Sequence, residues 1–279
     1  MWRRRQRRIM SRLGLIAGGG SLPLKLIETC KRTGRDIFVL AIEGQAEKPF
    51  SPGVPHHWIK LGETGKTISL LKSEAIDTLV LAGSVRRPSL SELRPDWRTV
   101  RVFAKLGLAA LGDDALLRAV ANEIRKEGIA LIGAHEIEPD LLTPEGFLTS
   151  RKPSPENIAD MEYGIKIVRE LGRLDVGQAA VVQEGIALGV EAVEGTDALL
   201  KRARDQRRKG SGGVLVKGCK PQQDKRLDLP AIGLRTLRLA HEAGLSGIAV
   251  EAGASLLLDR EEVLSAADKL GLFIVGFKA

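Results

Sequence analysis

Two polar segments in the second half of the chain carry the side chains best suited to chemistry. The first is Glu-Ala-Val-Glu-Gly-Thr-Asp at 191–197, and the second is Lys-Pro-Gln-Gln-Asp-Lys-Arg-Leu-Asp-Leu-Pro at 220–230. The second follows an apolar run at 213–217, so it occupies a loop that leaves a strand, where catalytic groups are commonly carried. Hard cations bind carboxylate oxygens, and phosphates bind Lys, Arg and backbone N–H groups. Because the chain has no cysteine or histidine cluster, these segments predict work on a phosphate ester or anhydride with Mg²⁺.

Among the carboxylates near predicted strand ends, Asp224 is the strongest candidate for metal binding or catalysis. The set comprises Glu191, Glu194, Asp197, Asp224, Asp228 and Glu251. Asp197 could instead cap the helix that follows it, and Asp228 could pair with Arg226, whereas Asp224 lies in the middle of a loop. Mg²⁺ needs only one or two carboxylates, because substrate oxygens and water complete its octahedron. Lys220 and Arg226 would stabilise charge on a reacting phosphate.

A glycine turn near the amino terminus, Gly18–Gly20, lies between the first predicted strand and the first predicted helix. There, backbone N–H groups and a helix N-terminus can approach a phosphate. Glu43 ends the second predicted strand, where dinucleotide-binding folds place a ribose-binding acid. Pro23 takes the place of the third glycine of the dinucleotide fingerprint, so the pattern leaves open both a bound nucleotide and a structural turn. Arg86 follows another strand, where it could grip phosphate or form part of a surface arginine pair.

Short apolar strands alternate with helical patterns along the whole chain, which predicts an α/β fold with parallel sheets flanked by helices. Helices are expected, among other places, at 104–111 and 157–171. The polar segment Ser150–Asn157 contains two prolines and is the best candidate linker. We therefore expect a first domain at 11–150, a second domain at 158–279 and a basic, disordered leader at 1–10.

The net charge of +8 depends strongly on that leader, because five arginines precede Met10. The leader could be an arm that binds nucleic acid or anionic lipid. It could instead be a disordered extension, or the result of a start codon assigned too far upstream, and we favour Met10 as the working start. The leader lacks the apolar region of a signal peptide, and no apolar run approaches the roughly 18 residues of a membrane span. We expect a cytosolic protein that could touch a membrane surface.

Several motifs together resemble the LpxI-type UDP-2,3-diacylglucosamine pyrophosphatases, over about Leu13 to Gly276. They are Ala-Gly-Gly-Gly-Ser-Leu-Pro (17–23), Val-Arg-Arg-Pro (85–88), Leu-Asp-Val-Gly-Gln (174–178), Glu-Gly-Thr-Asp (194–197), Lys-Pro-Gln-Gln-Asp (220–224), Asp-Leu-Pro (228–230) and Glu-Ala-Gly (251–253). The Glu-Gly-Thr-Asp motif (194–197) and the Lys-Pro-Gln-Gln-Asp motif (220–224), at this separation, are the specific part of the match, and the glycine turn is not. Leu227 stands before Asp-Leu-Pro, where an aromatic residue is expected. This difference affects packing more than chemistry.

The resemblance implies hydrolysis of UDP-2,3-diacylglucosamine to UMP and 2,3-diacylglucosamine 1-phosphate (lipid X), a cytoplasmic step of lipid A synthesis. It implies a Rossmann-like nucleotide domain, a distinct carboxy-terminal α/β domain, a homodimer, Mg²⁺, and water attack on the α-phosphorus. The essential aspartate maps onto Asp224, helped by Lys220 in catalysis and by Glu194 or Asp197 in metal binding. The residues expected to bind substrate are Gly18, Gly19, Gly20, Ser21, Leu22, Glu43, Arg86, Thr196, Gln223 and Arg226.

Two other functions stay open at this point. An NAD(P)-dependent oxidoreductase would have to tolerate Pro23 and would leave the 220–228 cluster without a role. A non-enzymatic protein that binds nucleotides or nucleic acid would use the arginine leader and the basic run 201–209, and its binding would depend steeply on salt.

Overall fold

A computed structural model of the chain describes residues 12–47, 53–86, 95–106 and 113–278. The expected leader at 1–10 and Arg87 lie outside these ranges. The chain divides into two compact units, Met1–Glu138 and Pro139–Ala279, each with its own sheet. The predicted class, a parallel-sheet α/β domain followed by a distinct α/β domain, is confirmed.

The first unit contains a five-stranded parallel sheet in the order β3-β2-β1-β4-β5. The strands are β1 (Arg12–Ala17), β2 (Ile37–Ile42), β3 (His56–Ile59), β4 (Ile76–Ala82) and β5 (Ala130–Ile132). Every residue of β2 is buried, as expected for a central strand of a parallel sheet with helices on both faces. The carboxyl ends of β2, β1 and β4 therefore meet at one edge of this sheet.

The helices of the first unit begin and end at recognisable signals. They are α1 (Leu22–Thr33), α2 (Thr64–Ser73), α3 (Trp97–Leu106), α4 (Asp113–Lys126) and α5 (Ala134–Ile137). Pro23 lies in the first turn of α1, and Gly34 ends the helix with a left-handed φ of 69°. The helix expected at 104–111 instead begins earlier, because the Asp96 carboxylate accepts a hydrogen bond from the Thr99 N–H at 2.8 Å and caps α3. Residues 107–111 of that expectation lie outside the described ranges.

The second unit contains a six-stranded mixed sheet in the order β6-β13-β11-β9-β7-β8 and a two-stranded sheet, β10-β12. Its strands are β6 (Gly146–Phe147), β7 (Ala179–Gln183), β8 (Ile186–Val190), β9 (Val214–Lys217), β10 (Ala231–Ile232), β11 (Gly247–Glu251), β12 (Leu256–Leu257) and β13 (Phe273–Phe277). Strands β9, β11 and β13 are parallel, whereas β7 runs antiparallel to β9. The start of β7 and the ends of β9 and β11 consequently lie at the same edge.

Helices cover both faces of this second sheet. They are α6 (Pro155–Arg173), α7 (Gly195–Asp205), α8 (Leu234–Glu242) and α9 (Arg260–Leu270). Leu215 belongs to the core formed with α7, α8 and α9, and its neighbours Val214 and Val216 belong to the core formed with α6. A Cβ added at Gly164 would lie 2.5 Å from Val216 Cγ2, so glycine lets α6 approach the sheet closely.

The observed division at Glu138–Pro139 precedes the segment expected to be the linker. Ser154 accepts a hydrogen bond from the Asn157 N–H at 3.3 Å, so the Ser-Pro-Glu-Asn sequence begins α6 as a helix cap. Upstream, the Ile274 N–H donates to Thr149 Oγ1 at 2.9 Å, and Ser150 donates to Asp268. Residues 139–157 therefore belong structurally to the second unit, because their hydrogen bonds are made with its sheet and helices.

Candidate active site

The residues expected to bind substrate in the first unit all lie at one edge of its sheet. Gly18 to Leu22 follow β1, Glu43 follows β2, and Arg86 lies just beyond β4. Loops from these adjacent parallel strands meet there, which is the usual ligand-binding edge of such sheets. The Gln45 side-chain oxygen accepts a hydrogen bond from the Arg86 N–H at 2.9 Å, which joins two of the loops.

Two glycines of the turn serve loop packing. The Gly18 N–H donates to the Ala82 carbonyl at 2.8 Å, and Gly19 and Ser84 exchange backbone hydrogen bonds at 2.8 and 2.9 Å. A Cβ at Gly18 would lie 2.5 Å from the Ser84 carbonyl oxygen. The N–H groups of Gly18 and Gly19, expected to face a phosphate, are thus already used within the protein.

The remaining part of the turn is better placed to meet an anion. Gly20 has a φ of 86° and open space around it, and α1 begins two residues later. Ser21, the N-cap residue, makes no side-chain capping bond, so the first N–H groups of α1 lack a cap from it. Glu43 is exposed just beyond β2, and Arg86 is exposed as well. A phosphate at Gly20–Leu22 is therefore compatible with this edge.

The loop that contains Asp224 is folded around its own side chains. The Arg226 guanidinium grips Asp224 with two hydrogen bonds of 2.9 Å, Nε to Oδ1 and Nη2 to Oδ2. The Gln223 amide donates to Asp228 Oδ2 at 3.0 Å, and its oxygen accepts from the Lys220 N–H at 3.2 Å. Within this one loop Arg226 thus binds Asp224, and Gln223 joins the Lys220 backbone to Asp228.

This loop is anchored to the end of α6. The Gln222 amide donates to the Gly172 carbonyl at 2.7 Å, and Lys220 Nζ lies 2.6 Å from Asp175 Oδ1. A Cβ at Gly172 would contact Pro221 at 3.0 Å. The Lys220 ammonium, expected to face a phosphate, is consequently held by Asp175, a partner that the sequence did not indicate.

The acidic side chains at the start of α7 are each held by a basic residue. Glu194 pairs with Arg202 at 2.5 Å, and Asp197 pairs with Arg235 of α8 at 2.6 Å. Thr196 turns inward and donates to Glu191 Oε1 at 2.6 Å.

Buried polar groups connect the two loops, and little in the sequence singles out Lys217 among them. Lys217, the last residue of β9, donates to Thr196 Oγ1 at 2.9 Å and to the Ala231 carbonyl at 3.1 Å. Glu191 Oε2 accepts from the Gln178 N–H at 3.0 Å. The side-chain oxygen of Gln178 is buried with no hydrogen-bond partner in the described ranges. The one available signal was a lysine closing the otherwise apolar run 213–217.

The carboxylates expected to bind Mg²⁺, which are Asp224 with Glu194 or Asp197, do not form a three-ligand cluster in the part of the chain that the structure describes. Within the residues the structure describes, no three His, Cys, Asp or Glu side chains are arranged to hold a metal ion. The donor chemistry of the Asp224 loop nevertheless fits Mg²⁺, which needs only one or two carboxylates. Asp228 is accessible to solvent yet surrounded by protein, and this desolvation raises the pKa of its carboxyl despite the opposing charges of Lys217 and Lys220. A cation would offset that desolvation.

No helix in the described part of the chain is long and apolar enough to cross a membrane.

Solved structures offer only distant similarity. The chain is 13% identical to CobK precorrin-6A reductase, with a TM-score of 0.35, covering 96% of this chain and 88% of that one. It is 12% identical to UDP-N-acetylglucosamine 4-epimerase from Bacillus cereus, with a TM-score of 0.31 and the same coverages. These two similarities are too weak to indicate a shared fold or function.

Similarity in sequence is much stronger. The chain is 46% identical over 274 residues to the UDP-2,3-diacylglucosamine pyrophosphatase LpxI of Caulobacter vibrioides, covering 96% of this chain and 98% of that protein. The family model of the LpxI N-terminal domain matches residues 12–141, and that of the LpxI C-terminal domain matches residues 144–275. With both domains matched in order, the chain belongs to the LpxI family.

Proposed function

We propose that the protein hydrolyses the pyrophosphate bond of UDP-2,3-diacylglucosamine, releasing UMP and 2,3-diacylglucosamine 1-phosphate for lipid A synthesis. The observation that carries this proposal is the 46% identity to a UDP-2,3-diacylglucosamine pyrophosphatase across nearly the whole chain. The polar loops of the second unit support it, because they combine carboxylates with Lys and Arg at one sheet edge.

The first unit would bind the nucleotide. The start of α1 at Gly20–Leu22, where the Ser21 side chain forms no cap, suits a phosphate, since the first N–H groups of a helix and its dipole favour an anion. Glu43, just beyond the neighbouring strand, would accept hydrogen bonds from the ribose hydroxyls. Arg86 would add a cationic donor at the same edge. Gly18 and Gly19 would shape this edge, because their N–H groups are committed to backbone carbonyls.

The second unit would supply the chemistry. A water oxygen attacks the α-phosphorus, and the bond from the α-phosphorus to the bridging oxygen breaks, leaving that oxygen on the sugar phosphate. Asp224 would orient the water or the cation. Arg226 and Lys220 would stabilise the negative charge that develops on the phosphates. Mg²⁺, held by Asp224 with help from Glu194 or Asp197, would polarise the α-phosphate.

The surroundings of the enzyme form part of the same proposal. We place it in the cytoplasm as a homodimer that touches the inner face of the inner membrane, where a lipid-linked nucleotide resides. Basic side chains close to an anionic surface would each contribute on the order of 1 kcal/mol.

The experiment is an assay of UMP release from UDP-2,3-diacylglucosamine with Mg²⁺, with EDTA and with Asp224→Ala. We expect turnover that needs Mg²⁺ and falls about 10²–10³-fold or more in the variant. Asp205→Ala is the matched control, because Asp205 is an exposed carboxylate at the far end of α7. Turnover that survives Asp224→Ala would move the active site, and a folded protein that releases no UMP would refute the proposed reaction.

A further inference from the structure

A buried lysine closes the strand that leads into the Asp224 loop. Lys217 is 7% exposed, although removing an ammonium from water costs several kcal/mol. Lysine is rarely buried unless a partner compensates its charge. The hydrogen bonds of Lys217 go to a hydroxyl and a carbonyl, and among the described residues it forms no direct ion pair. Methionine or leucine could fill the same space without the free-energy penalty of burying a charge.

The partners of Lys217 belong to two different segments. Thr196 lies in the first turn of α7, within the Glu-Gly-Thr-Asp motif. Ala231 begins β10, directly after Asp-Leu-Pro at 228–230. An ammonium has three donors in fixed tetrahedral geometry, and two of them are directed to these partners. Lys217 therefore joins the Glu-Gly-Thr-Asp segment of the proposed site to the segment that follows Asp-Leu-Pro.

Thr196 extends this connection to a third segment. Its hydroxyl accepts from Lys217 and donates to Glu191, which is 6% exposed and is itself held by the Gln178 N–H. The chain of bonds from Lys217 through Thr196 to Glu191 places a positive and a negative charge one hydroxyl apart. Each buried charge thereby offsets the other through a polarised hydroxyl.

We infer that Lys217 is a positioning residue of the proposed site, which sets the separation between the Thr196 segment and the Asp224–Ala231 segment through its buried ammonium. This inference rests on the proposed function for its kinetic consequence. Reacting groups misplaced by about 1 Å lose roughly 100-fold in rate. Lys217 itself bonds to protein atoms, so its loss should act on kcat rather than on substrate binding.

The test compares Lys217→Met and Lys217→Arg with the wild type in the UMP-release assay. We expect Lys217→Met to lower kcat about 100-fold with KM nearly unchanged, and Lys217→Arg, which keeps the charge, to retain more activity. Lys201→Met is the matched control, because Lys201 is an exposed lysine of α7, and it should leave both constants unchanged. An unaltered kcat in Lys217→Met, or a change in KM alone, would overturn the inference.

A second variant keeps the test decisive if Lys217→Met does not fold. Thr196→Val removes the shared hydroxyl with little change in shape and should also reduce kcat. Where Lys217→Met folds, the double variant should be hardly worse than the more affected single variant, because both substitutions break one connection. Fully additive losses would mean that the two residues act separately.

Hydrogen exchange separates this inference from the proposed reaction. In full-length Lys217→Met we expect faster amide exchange at 195–197 and 231–232 than in the wild type, with β11 unchanged. This readout needs no substrate. Faster exchange without UMP release from the wild type would refute the proposed reaction and keep the connection, whereas unchanged exchange would refute the connection.

Discussion

The proposed catalytic carboxylate, Asp224, has both of its oxygens engaged by one arginine. Arg226 donates to Oδ1 and Oδ2, and its backbone N–H also donates to Oδ1 at 3.1 Å. Two-bond Arg–carboxylate contacts are among the stronger hydrogen-bonded pairs in proteins. A cation that binds Asp224 must therefore compete with the Arg226 guanidinium. The phosphates of the substrate offer that guanidinium an alternative two-bond partner.

This competition predicts opposite effects of Arg226→Met on metal and on substrate. The concentration of Mg²⁺ that gives half-maximal activity should fall, because the carboxylate no longer has to release the guanidinium. The KM for UDP-2,3-diacylglucosamine should rise, because the phosphates lose a donor. Mn²⁺ binding followed by electron paramagnetic resonance checks the first effect without turnover. Lys225→Met, which removes the neighbouring exposed cation, is the control, and weaker Mn²⁺ binding in Arg226→Met would contradict the competition.

At this scale the sequence indicates candidate site residues, but it does not indicate their partners. Asp224, Lys220 and Thr196 stand out because polar residues are dense at a strand end. The partners of two of them, Asp175 and Lys217, come from segments distant in the chain. Such contacts are decided by strand order and by the packing of α6 and α7, which residue spacing does not specify.

At the scale of elements, the first-unit edge depends on two glycine loops that pack against each other. Gly83 has a φ of 93°, and a Cβ there would lie 2.6 Å from the Gly19 carbonyl oxygen. This close approach lets Gly19 and Ser84 exchange their backbone hydrogen bonds. Part of the glycine-rich pattern that suggests nucleotide binding is therefore explained by the need to join β1 and β4.

We expect Gly83→Ala to destabilise the protein more than Gly34→Ala. Both positions are left-handed, which costs an alanine about 1–2 kcal/mol. A Cβ at position 34 would have open space around it, whereas a Cβ at position 83 would overlap backbone atoms. This overlap should lower the free energy of unfolding of Gly83→Ala by a further amount of about 1–3 kcal/mol. Urea unfolding of the two variants measures the difference. Equal losses would show that the loops can separate without cost.

Three helices of the first unit are joined at Glu127, directly after α4. Its carboxylate is bonded by Lys72 of α2 and by Arg98 of α3. The bonds from Lys72 and then Arg98 lower the pKa of Glu127 from 4.5 to about 2. A carboxyl whose pKa is lower in the folded state stabilises the fold above its unfolded pKa, and this contribution is lost as the pH falls.

The urea midpoint of Glu127→Gln should therefore lie below that of the wild type above about pH 4.5. This gap between the two urea midpoints should narrow as the pH falls from 4.5 towards about 2, where the wild-type carboxyl also becomes neutral. Because the contact is close to solvent, added salt should reduce the gap at neutral pH. Glu28→Gln, at an exposed position of α1, is the control. A gap that stays constant down to pH 2 would contradict the assignment.

Most elements follow from hydrophobic periodicity, and the exceptions have physical reasons. Strand β11 (Gly247–Glu251) shows the rule, because a buried parallel strand is a nearly continuous apolar run. The two-residue strands β6, β10 and β12 are too short to leave a pattern. The start of α6 resembles a linker in the sequence, because Ser154-Pro155 serves equally well as a turn and as a helix cap.

At the scale of the whole molecule, each unit has its own sheet and core, which predicts that the second unit folds alone. The position of the boundary matters, because residues 139–157 are bonded to the rest of this unit. Thr143 is 1% exposed and its hydroxyl bonds to Ser255 at 3.0 Å, and β6 pairs with the end of β13. A Cβ at Gly276 would lie 1.8 Å from the Pro144 carbonyl oxygen, so this segment is packed tightly onto the sheet.

We therefore expect a fragment of residues 139–279 to unfold cooperatively and to be more stable than a fragment of residues 158–279. The shorter fragment loses β6, the Thr149 and Thr143 hydrogen bonds and the Ser154 cap of α6. At about 1 kcal/mol for each hydrogen bond and for the cap, its stability should be lower by about 3 kcal/mol or more. Urea unfolding followed by circular dichroism compares the two fragments. Equal midpoints would return the boundary to the segment between 150 and 158, which the sequence alone suggests.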